Sequence, residues 1–137
     1  MQKEQKRKTL REIFTENELP LTDKSEMDLK YEKAIEIILN ADAIEETAYD
    51  IDDKKERHRV FDQINKDWAA SYSVFEALGK ANHAESLYKQ GLCCCYGIAQ
   101  ADRKSNYLKA SEYFQKAAEL GHNGAKEMLE ELKEQGK

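Results

Sequence analysis

The chain has 137 residues, 36% of them charged and 40% hydrophobic, a net charge of −5, six glycines and one proline. That length fits one domain with a continuous core, and so few Gly and Pro residues suit helices joined by short turns. There is no apolar run of the roughly 18 residues needed to cross a membrane, and the Lys-rich start leads into no apolar signal core, so a cytoplasmic location is expected.

In chain order, residues 1–22 hold a short amphipathic helix carried by Leu10, Ile13 and Phe14 and stopped before Pro20. Its basic cluster, Lys3, Lys6, Arg7, Lys8 and Arg11, is diluted by acids to +1 over residues 1–22, too little for nucleic-acid binding. A long helical hairpin follows over 23–80. Thr22 or Ser25 can cap its first arm, in which Met27, Tyr31, Ala34, Ile35 and Ile38 recur at helical spacing; Ile44, Ala48 and Ile51 extend the stripe past Asn40. Asp53 and Glu56 have the spacing of a capping box that opens the second arm. The stripe of that arm is Phe61, Ile64, Trp68, Ser71 or Tyr72, Phe75 and Leu78. Arms of similar length joined by a short acidic turn predict an antiparallel pair, with the aromatic stripe against Ile35 and Ile38. A fourth helix is expected over 84–96, with Gly91 allowing a neighbour to approach closely and Gly97 ending it. Asn106 caps a fifth, which ends at Gly121. A sixth, over 123–135, exposes Glu127, Glu130, Glu131 and Glu134 as a polar cap.

Two of these helix ends are copies. Residues 75–83 align with 114–122 at an offset of 39, with Phe75/Phe114 and His83/His122 identical. Asn82 faces Gly121 in that alignment, and these two residue types most readily take the left-handed conformation that ends a helix. Trp68 and Tyr107 share the same offset. A fixed period of this size marks a helical repeat array. The segments Ala84-Glu85-Ser86-Leu87-Tyr88-Lys89-Gln90-Gly91, Tyr96-Gly97 and Lys109-Ala110-Ser111-Glu112-Tyr113-Phe114-Gln115-Lys116-Ala117-Ala118-Glu119-Leu120-Gly121-His122 resemble one Sel-one-like repeat, a relative of the tetratricopeptide repeat. The sequence departs from that family at Gln90 and Cys94, and Ala99 replaces the second loop glycine. The resemblance implies an all-α, tetratricopeptide-like α/α superhelix: the long hairpin, a Sel-one-like repeat over 84–121, and a capping helix. It also implies a scaffold for protein binding with no shared catalytic residues.

Charge supplies the candidate site. Residues 23–53 hold eleven acids against three bases, and Asp42, Glu45, Glu46, Asp50, Asp52 and Asp53 follow one another with no Lys or Arg between them. Such a cluster is either a solvated helix end or a surface that steers a basic partner. It lacks the spacing and turn glycine of a calcium loop. Tyr88, Lys89 and Tyr107 are expected to be exposed and to line a groove between helices, with the acids as its rim. The expected function is non-catalytic protein binding, without cofactor, metal, nucleic acid or membrane. A sharper version is an immunity protein or antitoxin that occludes a basic toxin such as a nuclease. The rival is a thiol enzyme or redox sensor built on Cys93, Cys94 and Cys95, disfavoured because a helix C-terminus opposes a thiolate. His83 and His122, repeated at a turn, are expected to pack or cap rather than catalyse.

Overall fold

The structure, a computed structural model, describes residues 9–15, 25–100, 102 and 104–136. Lys3, Lys6, Arg7, Lys8, Pro20 and Thr22 lie outside the described residues, as does Arg103. The described residues form six helices and no strand: α1 Leu10–Thr15, α2 Glu26–Ala48, α3 Lys54–Lys80, α4 Ala84–Tyr96, α5 Tyr107–Glu119 and α6 Asn123–Glu134. From α2 onward each helix packs on the next in sequence, which is the packing of an α/α repeat. None of the described helices is long and apolar enough to cross a membrane.

Local chemistry sets the ends of the hairpin. Ser25 Oγ accepts the Asp28 N–H at 3.1 Å while the Asp28 carboxylate accepts the Ser25 N–H at 3.0 Å, a reciprocal cap on α2. Asp53 caps α3 by accepting the Lys55 N–H at 3.0 Å, whereas Glu56 pairs with Arg59 at 3.3 Å. Arg57 Nη1 donates to the Ile51 carbonyl at 2.8 Å and closes the turn between the arms.

The two arms meet along a seam of alternating three- and four-residue steps. On α2 it runs through Tyr31, Ala34, Ile38, Ala41 and Ala48; on α3 through Phe61, Ile64, Trp68, Ser71, Phe75 and Leu78. That average step of about 3.5 residues belongs to paired, supercoiling helices. It explains one departure from the expected stripe. Stepping from Tyr31 reaches Ala41 and Ala48, so Ile44 is rotated off the seam and is 48% exposed; Met27, ahead of it, is 37% exposed. Trp68 is half-buried and sits where two cores join. The larger core runs through α1 and the repeat, and a smaller one of Ala41, Ala48 and Ile64 fills the far end of the hairpin.

The offset of 39 is a structural repeat. At the end of α3 the His83 N–H bonds the Leu78 carbonyl and the Asn82 N–H bonds Gly79, both at 3.0 Å; at the end of α5 the His122 N–H bonds Ala117 at 3.0 Å and the Gly121 N–H bonds Ala118 at 2.9 Å. Both ends are Schellman motifs, with φ of +63° at Asn82 and +91° at Gly121. Each histidine then caps the next helix: His83 Nδ1 accepts the Ser86 N–H at 3.2 Å and His122 Nδ1 accepts the Ala125 N–H at 3.1 Å. With Nδ1 accepting, Nε2 carries the proton, and it donates backwards to the previous unit. His83 reaches Asp28 Oδ1 and His122 reaches Glu85 Oε1, each at 2.8 Å.

A second offset, 57, relates α2 to α4: Asp28 to Glu85, Tyr31 to Tyr88, Ala34 to Gly91. Tyr31 packs on Phe75 at 6.0 Å and on His83 at 5.3 Å; Tyr88 packs on Phe114 at 5.8 Å and on His122 at 4.3 Å. An acid, a tyrosine, a phenylalanine and a histidine therefore recur as one packed group. A Cβ at Gly91 would overlap the Phe114 ring, so the glycine sets how closely α4 and α5 approach. The long hairpin is thus a first repeat unit with lengthened arms. From the shared tyrosine, α2 runs on 17 residues and α4 only 8; α3 opens 21 residues before its phenylalanine and α5 only 7. At about 1.5 Å per residue the first hairpin outreaches the second by roughly 14–21 Å.

Candidate functional site

The acidic stretch occupies this projecting tip. Glu46, Asp50, Asp52 and Asp53 are exposed; Asp42 and Glu45 are half-buried. They do different work. Asp53 caps α3, and Glu45 accepts the Tyr49 hydroxyl at 3.2 Å, whose ring packs edge-on against Phe61 at 5.0 Å. Burial first, then Glu45 and Glu46, push the Asp42 carboxyl above the usual carboxylate range, and Arg11 of α1 offsets part of this. The last turn of α2 contains no base. Negative side chains there face the negative end of the helix dipole, so the charge is held against local helix stability.

The tip is not purely acidic. The hairpin brings the start of α3 beside the end of α2, and Lys54, Lys55, His58, Arg59 and Asp62 surround a shallow depression there. The acids stand on the end of α2 and the turn, and the bases on the first turns of α3.

The expected groove residues are placed otherwise. Tyr88 is 1% and Lys89 0% exposed, so neither lines an open surface. The physical reasons differ: Tyr88 packs between Phe114 of α5 and His122, and Lys89 is covered by Phe14 of α1. Lys89 Nζ donates to the Phe14 carbonyl at 2.6 Å, stands 3.9 Å from Glu85 Oε2, and lies 5.0 Å from the centre of the Tyr88 ring. Glu85 also accepts the Tyr31 hydroxyl at 3.3 Å. Burial alone would push Glu85 up; His122, Lys89 and Tyr31 outweigh it and hold the carboxyl below the usual range. The His83 hydrogen bond, then the Ser25 N–H, lower Asp28 in the same direction. Tyr107 is half-buried in a separate hollow with Cys95, Tyr96, Met128, Glu131 and Leu132. It opens α5, whereas Tyr88 stacks on His122 beyond the other end, about 20 Å away along the axis. Tyr88, Lys89 and Tyr107 do not form one groove.

Cys93, Cys94 and Cys95 are all buried. Burial pushes the Cys93 and Cys94 thiols up, and Tyr72 lies 3.8 Å from Cys94 Sγ. The nucleophilic form is the thiolate, so this setting disfavours thiol chemistry. Among the described residues no group of His, Cys, Asp and Glu is arranged to hold a metal ion. Comparison with protein-family models, curated proteins and solved structures finds no match.

Sequence reasoning missed the buried Glu85–Lys89–Tyr31–His122 group. The available signal was the second offset: Asp28-x-x-Tyr31 and Glu85-x-x-Tyr88 both precede a repeated histidine.

Proposed function

We propose that this protein is a non-catalytic, cytoplasmic protein-binding module of the Sel-one-like kind, and that its partner presents a basic contact surface to the hairpin tip. The observation that carries this reading is the projection itself. The first unit is lengthened well beyond what the repeat needs, and it builds a small core of Ala41, Ala48 and Ile64 to hold up a charged end. Glu46, Asp50 and Asp52 are exposed on that end. Of these, Glu46 lies in the last turn of α2, where a negative charge opposes the helix dipole, which favours a role outside the fold.

The test begins with affinity capture of partners by the full chain, compared with Glu46→Lys/Asp50→Lys. The expected partner is lost or weakened by the charge reversals, and its association slows as salt shortens the screening length from about 10 Å at 0.1 M to about 3 Å at 1 M. A partner indifferent to both would move the binding surface away from the tip.

A further inference from the structure

One face of the first hairpin carries a hollow used neither by the core nor by the charged tip. Lys30, Lys33, Ala34 and Ile37 of α2 meet Ala70, Ser71 and Val74 of α3 around about 260 Å³ of space. Ser71 is the most enclosed of these residues, at 1% exposure, and its hydroxyl has no hydrogen-bond partner among the described residues. A buried hydroxyl left unanswered is costly, because its hydration is lost and nothing replaces it. Packing does not demand one here: at the offset of 39 the second unit has Ala110, fully buried.

The second unit shows what such a hollow receives. The two offsets carry Lys30, Lys33, Ala34 and Ile37 onto Leu87, Gln90, Gly91 and Cys94 of α4, and Val74 onto Tyr113 of α5. There α3 covers the face. A Cβ at Gly79 would press on Gln90 and Leu87, and the Tyr72 hydroxyl lies 3.8 Å from Cys94 Sγ and interacts with Tyr113. A tyrosine from the neighbouring helix therefore ends where the first unit has Ile37 and Val74. On the first unit only α2 and α3 line the hollow. Its rim differs in charge, with exposed Lys30 and Lys33 standing where Leu87 and Gln90 are buried. Lys30 reaches Glu26 at 3.6 Å with both side chains largely exposed, a weak pairing, and Lys33 pairs with no acid among the described residues. In size, a cavity of about 150 Å³ holds benzene, so this space admits a phenol ring.

We propose that this hollow is a docking site for a tyrosine carried on an acidic segment of a partner protein: the ring lies over Ala34, Ile37 and Val74, its hydroxyl bonds Ser71, and flanking carboxylates meet Lys30 and Lys33. The site lies apart from the acidic tip and takes a partner surface of the opposite charge, so either reading can fail alone.

The probe is a synthetic peptide with one central tyrosine and two glutamates on each side, titrated into the isotope-labelled full chain. Amide shifts are expected to centre on residues 33–37 and 70–74. Phenylalanine in place of the peptide's tyrosine should weaken binding about three- to tenfold, the loss of one enclosed hydrogen bond. In Ser71→Ala that preference should fall to about one while the fold holds, since alanine serves the second unit at this position. Lys30→Glu/Lys33→Glu, on the exposed rim, should weaken the tyrosine peptide at least about tenfold at low salt. No shifts up to about 1 mM peptide, or a tyrosine preference that survives Ser71→Ala, overturns the proposal. Equal binding of a peptide with alanine for tyrosine would make the lysines a general anion rim and overturn it too. Self-association that Lys30→Glu/Lys33→Glu abolishes, with no peptide binding, would make a second copy the occupant and overturn it as well.

Discussion

The two repeat units place the same four side chains in different surroundings. In the first, the His83 and Asp28 side chains keep some contact with solvent, at 9% and 15% exposure; in the second, His122 and Glu85 are at 0% and 8%. The enclosed acid has gathered more partners. Glu85 is served by His122, Tyr31 and Lys89, where Asp28 has His83 and its own capping N–H. At the position equivalent to Lys89 the first unit has Glu32, half-buried. Burial therefore decides how many contacts one repeated motif must make, because a buried carboxylate is tolerated only when its charge and lone pairs are answered.

The largest effects should come from the phenylalanines common to both units. Phe75→Ala and Phe114→Ala remove fully buried rings, and each should cost about 3–5 kcal/mol in urea unfolding. Phe75 should cost the more, since it packs against both Phe14 and Tyr31. A much smaller loss at either site would break the equivalence of the units.

The histidines come next and sharpen the contrast. His122→Ala takes a cap and one of the three partners of a buried carboxylate, for about 2–4 kcal/mol. His83→Ala at the rim should cost only about 1–2 kcal/mol, the value of a cap. Both acids have lowered folded pKa values, so the stability they contribute is complete above the ordinary carboxylate range, about 3.9–4.3, and is lost as pH falls through their folded values. Unfolding free energy measured from pH 7 to pH 2 should fall more steeply for the parent than for Glu85→Gln. Parallel curves would mean Glu85 is not the linked group.

Backbone positions follow. Gly121→Val forces a β-branched residue to a φ of +91° and should cost more than about 1 kcal/mol, although space is open around it. Asn82→Gly at the equivalent turn should be neutral to slightly stabilising in the same melts. Ala99 has a φ of +56°, so Ala99→Gly should stabilise by about 0.5–1 kcal/mol.

The tip has no counterpart in the second unit, and its substitutions should move stability least. Glu46→Lys should change unfolding by less than about 0.5 kcal/mol. Asp42 differs in sign. Its pKa is raised, so its ionised form opposes folding, and Asp42→Asn should stabilise slightly above about pH 4 and do nothing below it.

Much of this architecture was legible because it depends on local chemistry. Ser25, Asp53, Asn106 and the turn at Gly121 act within four residues of themselves, and each sits where the sequence places it. Ala99, standing where the resembled family has glycine, does adopt the glycine-like conformation. What was hidden depends on distance in the chain. The burial of Lys89 is caused by Phe14, 75 residues earlier, and the separation of Tyr88 from Tyr107 follows from the length of α5. The drift of the α2 stripe past Asn40 appears only when its partner helix is known, since the smaller core there is built between α2 and α3.

The backward reach of the capping histidines gives the array a direction, and with it a rule for counting. Each unit is accepted by an acid, a tyrosine and a small residue on the helix that came before: Asp28, Tyr31 and Ala34, then Glu85, Tyr88 and Gly91. The corresponding face of α6 offers Gly124, Glu127 and Glu130. Position 124 has no carboxylate for another histidine, position 127 no ring for it to stack on, and position 130 a long charged side chain where close approach needs none. A further unit built to the same pattern finds no seat on α6, whatever sequence follows it. Copy number in this fold is thus written into three positions of one helix. Gly124→Glu, Glu127→Tyr and Glu130→Gly are the changes that would let a grafted third copy be read as a continuation.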